Sequence, residues 1–195
     1  MAHRWNARQL VATAADLADE EGFAAVTPTA VARRAGLTVP TLYSHVTDAA
    51  ELRTQVALLA LQELADELSE ALAGRAGGDA LAALGKTFRS YARRHPGRWE
   101  AVKLRLSPEV ARAGAGPRLA ELSRQALRAY GLRGAEEVHA VRLVGGTVRG
   151  FVDLEAAGAF DHTPPAPADS WDRIAASLDA QLRAWSATTT EQERA

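Results

Sequence analysis

Apolar residues recur every three or four positions along most of the chain, and clusters of glycine or proline interrupt them. That period predicts a string of amphipathic helices. Leu10, Ala14, Leu17 and Ala18 stripe a first helix over 6–21, ended by Gly22, with Phe23 and Val26 as plugs for a small core. Val31 and Ala35 mark a second helix, Leu42 and Val46 a third over 39–46. Leu52, Val56, Leu59, Leu64 and Leu68 mark a long fourth over 48–72. Beyond Gly74, Gly77 and Gly78, Asp79 caps a helix through Leu81, Leu84, Phe88 and Tyr91, broken by Pro96 and Gly97. A short helix over 98–105, a Pro/Gly/Ala-rich stretch over 107–116 and a helix from Pro117 to Tyr130 follow. The helix over 135–157 is apolar on two faces and so needs two partners; Gly145, Gly146 and Gly150 would let backbones approach closely there. After prolines at 164, 165 and 167, Asp169 or Ser170 caps a last helix, and 188–195 reads as a disordered polar tail.

The segment 27–52 is the most informative. Thr27 is a good N-cap with Pro28 at the first helical position, where its missing N–H costs nothing. Gly36 supplies a left-handed turn, Leu37 anchors it inward, and Thr38 caps the next helix. Asp48 caps the long helix, with Glu51 placed to complete a capping box. Helix, glycine turn, helix is the helix-turn-helix signature. A second helix of about eight residues would be roughly 12 Å long, short enough for a DNA major groove. With Leu42 and Val46 turned inward, Pro40, Thr41, Tyr43, Ser44 and His45 project outward, and their hydroxyl, aromatic and imidazole groups suit phosphates and base edges. An ordinary surface helix is the competing reading of the same pattern.

Ala, Leu, Arg and Glu dominate the 195 residues, which favours an all-α fold and suffices for a sizeable core. The net charge of −1 makes the chain no general magnet for nucleic acid. Residues 1–53 hold five Arg against six acids, so binding charge must be placed locally, and a shallow salt dependence follows. Absent cysteine excludes disulfides and thiolate metal sites and suits a reducing cytoplasm. No apolar run approaches the roughly 20 residues of a membrane span.

At Gly22, Thr27, Val31, Ala32, Ala35, Gly36, Leu37, Leu42, Tyr43, His45, Val46 and Leu52 the chain resembles the tetracycline-repressor (TetR) family of bacterial regulators. Pro40-Thr41-Leu42-Tyr43 followed by His45-Val46 resembles the tetracycline repressor's own form of the motif. Family members usually carry Lys or Arg where this chain has Ala49, which leaves the N-terminus of the long helix to meet a backbone phosphate. The run 91–99, with Gly150-Phe151, Leu154-Glu155 and 158–160, resembles the regulatory domain called WHG; that domain's Trp and His appear here as Gly145 and Arg149. The resemblance implies a helix-turn-helix domain over 1–52, a helical regulatory and dimerisation domain over 53–187, a homodimer through the last two long helices, and a ligand cavity among the middle ones.

DNA contacts are expected at Thr27, Thr29, Thr38, Val39, Pro40, Thr41, Tyr43, Ser44 and His45. A small apolar ligand is expected at Phe88, Tyr91, Trp99, Val102, Leu106, Leu122, Leu143 and Thr147. Plain core is the competing reading of each of these. The dimer interface is expected at Val148, Phe151, Val152, Glu155, Trp171, Ile174, Leu178, Leu182 and Trp185. Two heads would then sit about one DNA turn apart on a palindromic operator. An arm at 1–7 with Arg4 and, just after it, Arg8 could reach phosphates or a minor groove; a frayed terminus is the competing reading. The five His are scattered, and no phosphate loop or nucleophile motif occurs, so neither enzyme activity nor a cofactor is expected. A helical adaptor whose helix-turn-helix contacts only protein is the alternative function.

Overall fold

In the computed structural model residues 5–192 are described, with side chains to 187; Arg4 and 193–195 lie outside them. Among the described residues there are ten α-helices and no strand. They are α1 (Ala7–Glu21), α2 (Pro28–Ala35), α3 (Val39–Tyr43), α4 (Ala49–Leu72), α5 (Gly77–Arg94), α6 (Pro96–Val102), α7 (Pro108–Ala113), α8 (Gly116–Leu127), α9 (Gly134–Ala156) and α10 (Pro167–Gln192). The chain forms two compact units. One is Met1–Leu64 with Tyr91–Pro117; the other is Ala65–Ser90 with Arg118–Ala195. The packing therefore makes no division at residue 52: α4 runs on to Leu64 within the first unit, and 91–117 rejoins it.

In the first unit α1 begins with a capping box: Asn6 accepts from the Gln9 N–H, and the Gln9 side chain accepts in return. Leu10, Leu17, Val31, Leu42, Leu52 and Val56 are almost fully buried in one core with Phe23 and Val26. Each such leucine contributes roughly 1.5–3 kcal/mol of burial. On α4 the buried face runs through Leu52, Val56, Ala60 and Leu64; Leu59 is only half-buried, because the stripe drifts around the helix over this length. Arg53 lays its guanidinium over the Phe23 ring, 4.6 Å from its centre. Pro96 opens α6, so that helix begins two residues before the expected 98 and ends at Val102.

The second unit is built on aromatic packing. A Cβ on Gly85 would collide with the Trp171 indole, so only glycine lets α10 seat this ring against α5. Phe151 packs on both Trp171 and Phe160, at 5.4 and 5.0 Å between centres. Arg89 pairs both oxygens of Glu155 at 2.8 and 2.6 Å. The Tyr130 hydroxyl donates to Asp179 at 2.6 Å, and the Trp185 indole N–H to Glu136 at 2.6 Å.

Several helix starts differ from the sequence expectation. α5 starts at Gly77, placing Asp79 inside its first turn, and α10 starts at Pro167 rather than after Asp169 or Ser170. In both cases a Gly or Pro read as a breaker is the first helical residue. The expected polar tail from 188 continues instead as helix to Gln192, with no glycine or proline to stop it.

Candidate nucleic-acid interface

The helix-turn-helix is built from local hydrogen bonds. Thr27 caps α2 by accepting the Ala30 N–H at 3.2 Å. Gly36 ends α2 in the left-handed region at φ 68°, and the Leu37 N–H reaches back to the Ala32 carbonyl at 2.9 Å. Thr38 caps α3 by accepting the Thr41 N–H at 3.3 Å, and its hydroxyl shares a 2.8 Å hydrogen bond with that of Thr41.

α3 is shorter than the sequence suggested: five residues, about 7.5 Å, rather than 39–46. Ser44 ends it by donating its hydroxyl to the Thr41 carbonyl at 2.7 Å, and the chain tightens into a turn through His45. Leu42 and Val46 still point inward, with Leu42 wholly buried. Thr27, Thr29, Thr38, Pro40, Thr41, Tyr43 and Ser44 are exposed, and Val39 and His45 are half-buried. Tyr43 is 47% exposed, an unusual position for an aromatic ring on a small domain.

Charge around this face is sparse. Arg34 is held away by Glu20, two hydrogen bonds at 2.6 and 2.5 Å that raise the guanidinium pKa and lower that of the carboxyl. Arg53 is stacked on Phe23. Among the described residues Arg8, expected with the arm to reach phosphates, and Arg33, which the motif reading passed over, remain as exposed cations. Arg33 could have been picked out by its place in the last turn of α2, on the solvent side of the Val31–Ala35 stripe.

The N-terminus of α4 is also occupied. Asp48 accepts the Glu51 N–H at 2.7 Å, so its carboxylate already sits where a phosphate was expected. Glu51 does not complete a capping box on Asp48. Its carboxylate turns to the hydroxyl and N–H of Thr47, both at 2.6 Å, and these bonds hold its pKa below the usual range. Two acids at this helix end disfavour the phosphate contact expected of the helix N-terminus in place of the basic residue that Ala49 replaces.

The other expected sites are distributed differently. Of the ligand candidates, Tyr91, Trp99, Val102 and Leu106 belong to the first unit, and Phe88, Leu122, Leu143 and Thr147 to the second. Tyr91, Trp99, Val102, Phe88 and Leu122 are buried; Leu106, Leu143 and Thr147 are half-buried. A groove of about 500 Å3 on the second unit is lined elsewhere, by Ser69, Leu72, Gly74, Arg75, Gln125 and Arg128 among others. Of the dimer candidates, Val148, Phe151, Val152, Trp171, Leu178 and Leu182 are buried within the single chain. Glu155 is paired with Arg89, Trp185 donates to Glu136, and Ile174 is half-buried. The face of α9 left outward carries Val138 and Leu154, at 43% and 50% exposure, and Gly146 and Gly150, where an added Cβ would meet nothing within 4 Å. Among the described residues no helix is long and apolar enough to cross a membrane, and no cluster of side chains could hold a metal ion.

Comparison with known proteins bears on this face directly. A family model described as bacterial regulatory proteins, tetR family, matches residues 10–52, and one described as tetracyclin repressor-like, C-terminal domain, matches 81–178. An uncharacterized HTH-type transcriptional regulator of Mycobacterium tuberculosis is 35% identical over 150 residues, covering 73% of this chain. That match spans 66% of the relative's own length, just under two thirds. Among solved structures, the Streptomyces coelicolor TetR family protein ActR in complex with (S)-DNPA has a TM-score of 0.69 at 18% identity, covering 93% of this chain and 98% of its own. BioQ of Mycobacterium smegmatis, solved with its double-stranded DNA operator, has a TM-score of 0.67 at 22% identity, covering 93% and 99%. These likenesses support the all-α fold.

Proposed function

The chain belongs to the tetR family of bacterial regulatory proteins, and from that premise we propose that it is a ligand-responsive transcriptional regulator that reads double-stranded DNA with α3. The observation that carries the reading is the exposed Thr38, Thr41, Tyr43 and Ser44 face, fixed from behind by buried Leu42 and Val46. Tyr43 and the hydroxyls meet phosphates and base edges; Arg8 and Arg33 supply the nearby positive charge. So few exposed cations near α3 among the described residues give modest non-specific affinity and a shallow salt slope.

A second copy of the chain completes the palindromic reader. Glycines inside a helix cost about 0.5–1 kcal/mol each relative to alanine. Gly146 and Gly150 incur that cost where, among the described residues, an added Cβ would meet nothing within 4 Å. Close approach of a partner's helix there, flanked by Val138 and Leu154, would offset it. The burial of Val148 and Val152 supports a seam on the opposite side of α9.

Release from DNA follows binding of a small apolar molecule in the second unit, near Phe88, Leu122, Leu143 and Thr147. α4 belongs to both units as one continuous helix, which supports it as the carrier of the response. A coupling of about 1–3 kcal/mol would lower DNA affinity roughly 5- to 150-fold. A cytoplasmic, non-enzymatic repressor is the setting that fits.

The test is fluorescence polarisation of the purified protein with duplex DNA from upstream of its own gene, against a scrambled duplex, at physiological salt. Nanomolar preference with two chains per duplex is the expected result. Equal, weak binding to both would favour the adaptor reading, in which α3 contacts protein.

A further inference from the structure

The groove of about 500 Å3 on the second unit has a chemistry of its own. Its volume falls in the range of small-molecule sites. It lies at the C-terminal ends of α4 and α8, with residues 69–76 on one side and 125–129 on the other. The polar side chains lining it are Ser69, Arg75, Gln125 and Arg128; the rest of the lining is Leu72, Gly74 and four alanines. Among the described residues no acid lines it. Phe88, Leu122, Leu143 and Thr147 do not line it either, so it is separate from the buried positions named above for an apolar ligand.

The end of a helix gathers carbonyl oxygens, which would repel an anion. Here those oxygens are occupied. The Glu70 carbonyl accepts the Ala73 N–H at 3.3 Å, Leu72 accepts the Arg75 N–H at 3.1 Å, and Ala71 accepts from the Arg75 guanidinium. Just beyond α8 the Arg128 carbonyl accepts the Gly131 N–H at 3.2 Å. The bond to Ala71 uses only part of the guanidinium fork of Arg75, which carries several more N–H donors. Arg128 is held loosely: its Nη2 is 3.9 Å from one Glu121 oxygen, while the other oxygen takes Arg124 Nε at 3.0 Å. Arg128 and Glu121 are 73% and 57% exposed, and so long a contact at that exposure contributes little. Two exposed guanidiniums therefore share a groove whose lining holds no counter-charge. An anion between them relieves their repulsion and gains charge-assisted hydrogen bonds.

We propose that this groove is a second ligand site, for a small organic acid: its carboxylate is taken by Arg75 and Arg128, and its compact apolar body lies against Leu72 and the alanines. Ser69 and Gln125 add a hydroxyl and an amide that donate to the same carboxylate. A neutral molecule with the same body gains only the apolar contact. A bare carboxylate gains only the charge. The acid with the apolar body gains both, and that difference identifies the site. The inference requires the fold of the second unit alone and stands apart from the reading of DNA by α3.

The experiment titrates the full-length 15N-labelled protein, at neutral pH and low salt, with three probes: cinnamate, cinnamyl alcohol and acetate. Backbone amide shifts report both affinity and place. Cinnamate is expected to shift amides of 69–76 and 125–129 together and to saturate with a Kd below about 1 mM. Cinnamyl alcohol and acetate should each bind at least about tenfold more weakly. Arg75→Ala and Arg128→Ala should each weaken cinnamate roughly fivefold. Both residues are exposed, so the variants keep the fold, and an otherwise unchanged amide spectrum verifies it. Arg118→Ala removes an equal charge at a residue outside the groove lining, and should leave cinnamate binding unchanged. An alcohol that binds as tightly as the acid overturns the proposal, as does acetate that matches cinnamate. Equal weakening in Arg118→Ala also overturns it, because net charge alone would then account for the binding. Cinnamate shifts centred on Phe88, Leu122 and Leu143 instead of the groove would place the acid among the buried positions and overturn the second site. No saturable shift at all would overturn it as well, and would leave the DNA reading untouched.

Discussion

Each unit sets an arginine against carboxylate, buried at Arg98 and half-buried at Arg89, and the two are arranged differently. Arg89 in the second unit meets both oxygens of a single partner, Glu155, while Phe151 and Trp171 lie 5.4 and 5.9 Å from its guanidinium. That hydrogen-bonded fork raises the Arg89 pKa and leaves little to choose between alternatives. Arg98 in the first unit is divided among Asp16, Asp19, Glu63 and His95. A closed pair fixes one geometry. A shared cluster spreads one guanidinium over several partners, none of which holds it alone. The first unit thus divides its arginine among helices α1, α4 and α6, and the second gives Arg89 one fork between α5 and α9.

The most damaging single change should be Gly97→Ala. Its methyl would overlap backbone, which cannot rotate away, so a loss of more than about 4 kcal/mol in thermal unfolding is expected. Retained stability would mean α6 is free to move off α1. Glu155→Gln should cost about 2 kcal/mol, because it takes the charged fork from a half-buried Arg89. Asp16→Asn, at a carboxylate 56% exposed within the shared cluster, should cost under about 1 kcal/mol. Denaturant titration of the two variants side by side would erase the contrast if their losses were equal.

Gly150→Ala should stabilise α9 by about 0.5–1 kcal/mol within one chain, yet weaken self-association roughly tenfold if a partner helix packs there. Sedimentation equilibrium separates these effects, and unchanged association removes that face as the seam. Arg33→Ala is the smallest change. It should lower affinity for all duplexes alike and reduce the salt slope by about one. A loss confined to one sequence would instead make Arg33 a base reader.

What was legible in the chain follows the range of the interactions. Thr27, Gly36 and Thr38 act on groups three to five residues away, so the helix-turn-helix could be read from spacing alone. Even there the fifth residue of α3 was the last, because the Ser44 hydroxyl competes for the Thr41 carbonyl. α9 could not be oriented, because both its stripes are apolar; only packing selects Val144, Val148 and Val152 as inner and Val138 and Leu154 as outer. The Arg98–Asp19 pair spans 79 positions, and no local pattern announces it. Misjudged helix starts at Gly77 and Pro167 have a common origin, since these residues open a helix as readily as they end one.

The central claim is that the exposed face of α3 reads DNA, and Tyr43 is its largest group. The most direct measurement is the ratio of affinities for upstream and scrambled duplex, wild type against Tyr43→Ala, at one salt concentration and with circular dichroism verifying the fold. The account expects the wild-type ratio to collapse toward one in the variant while the helix content is unchanged. An unchanged ratio in a folded Tyr43→Ala protein would contradict it.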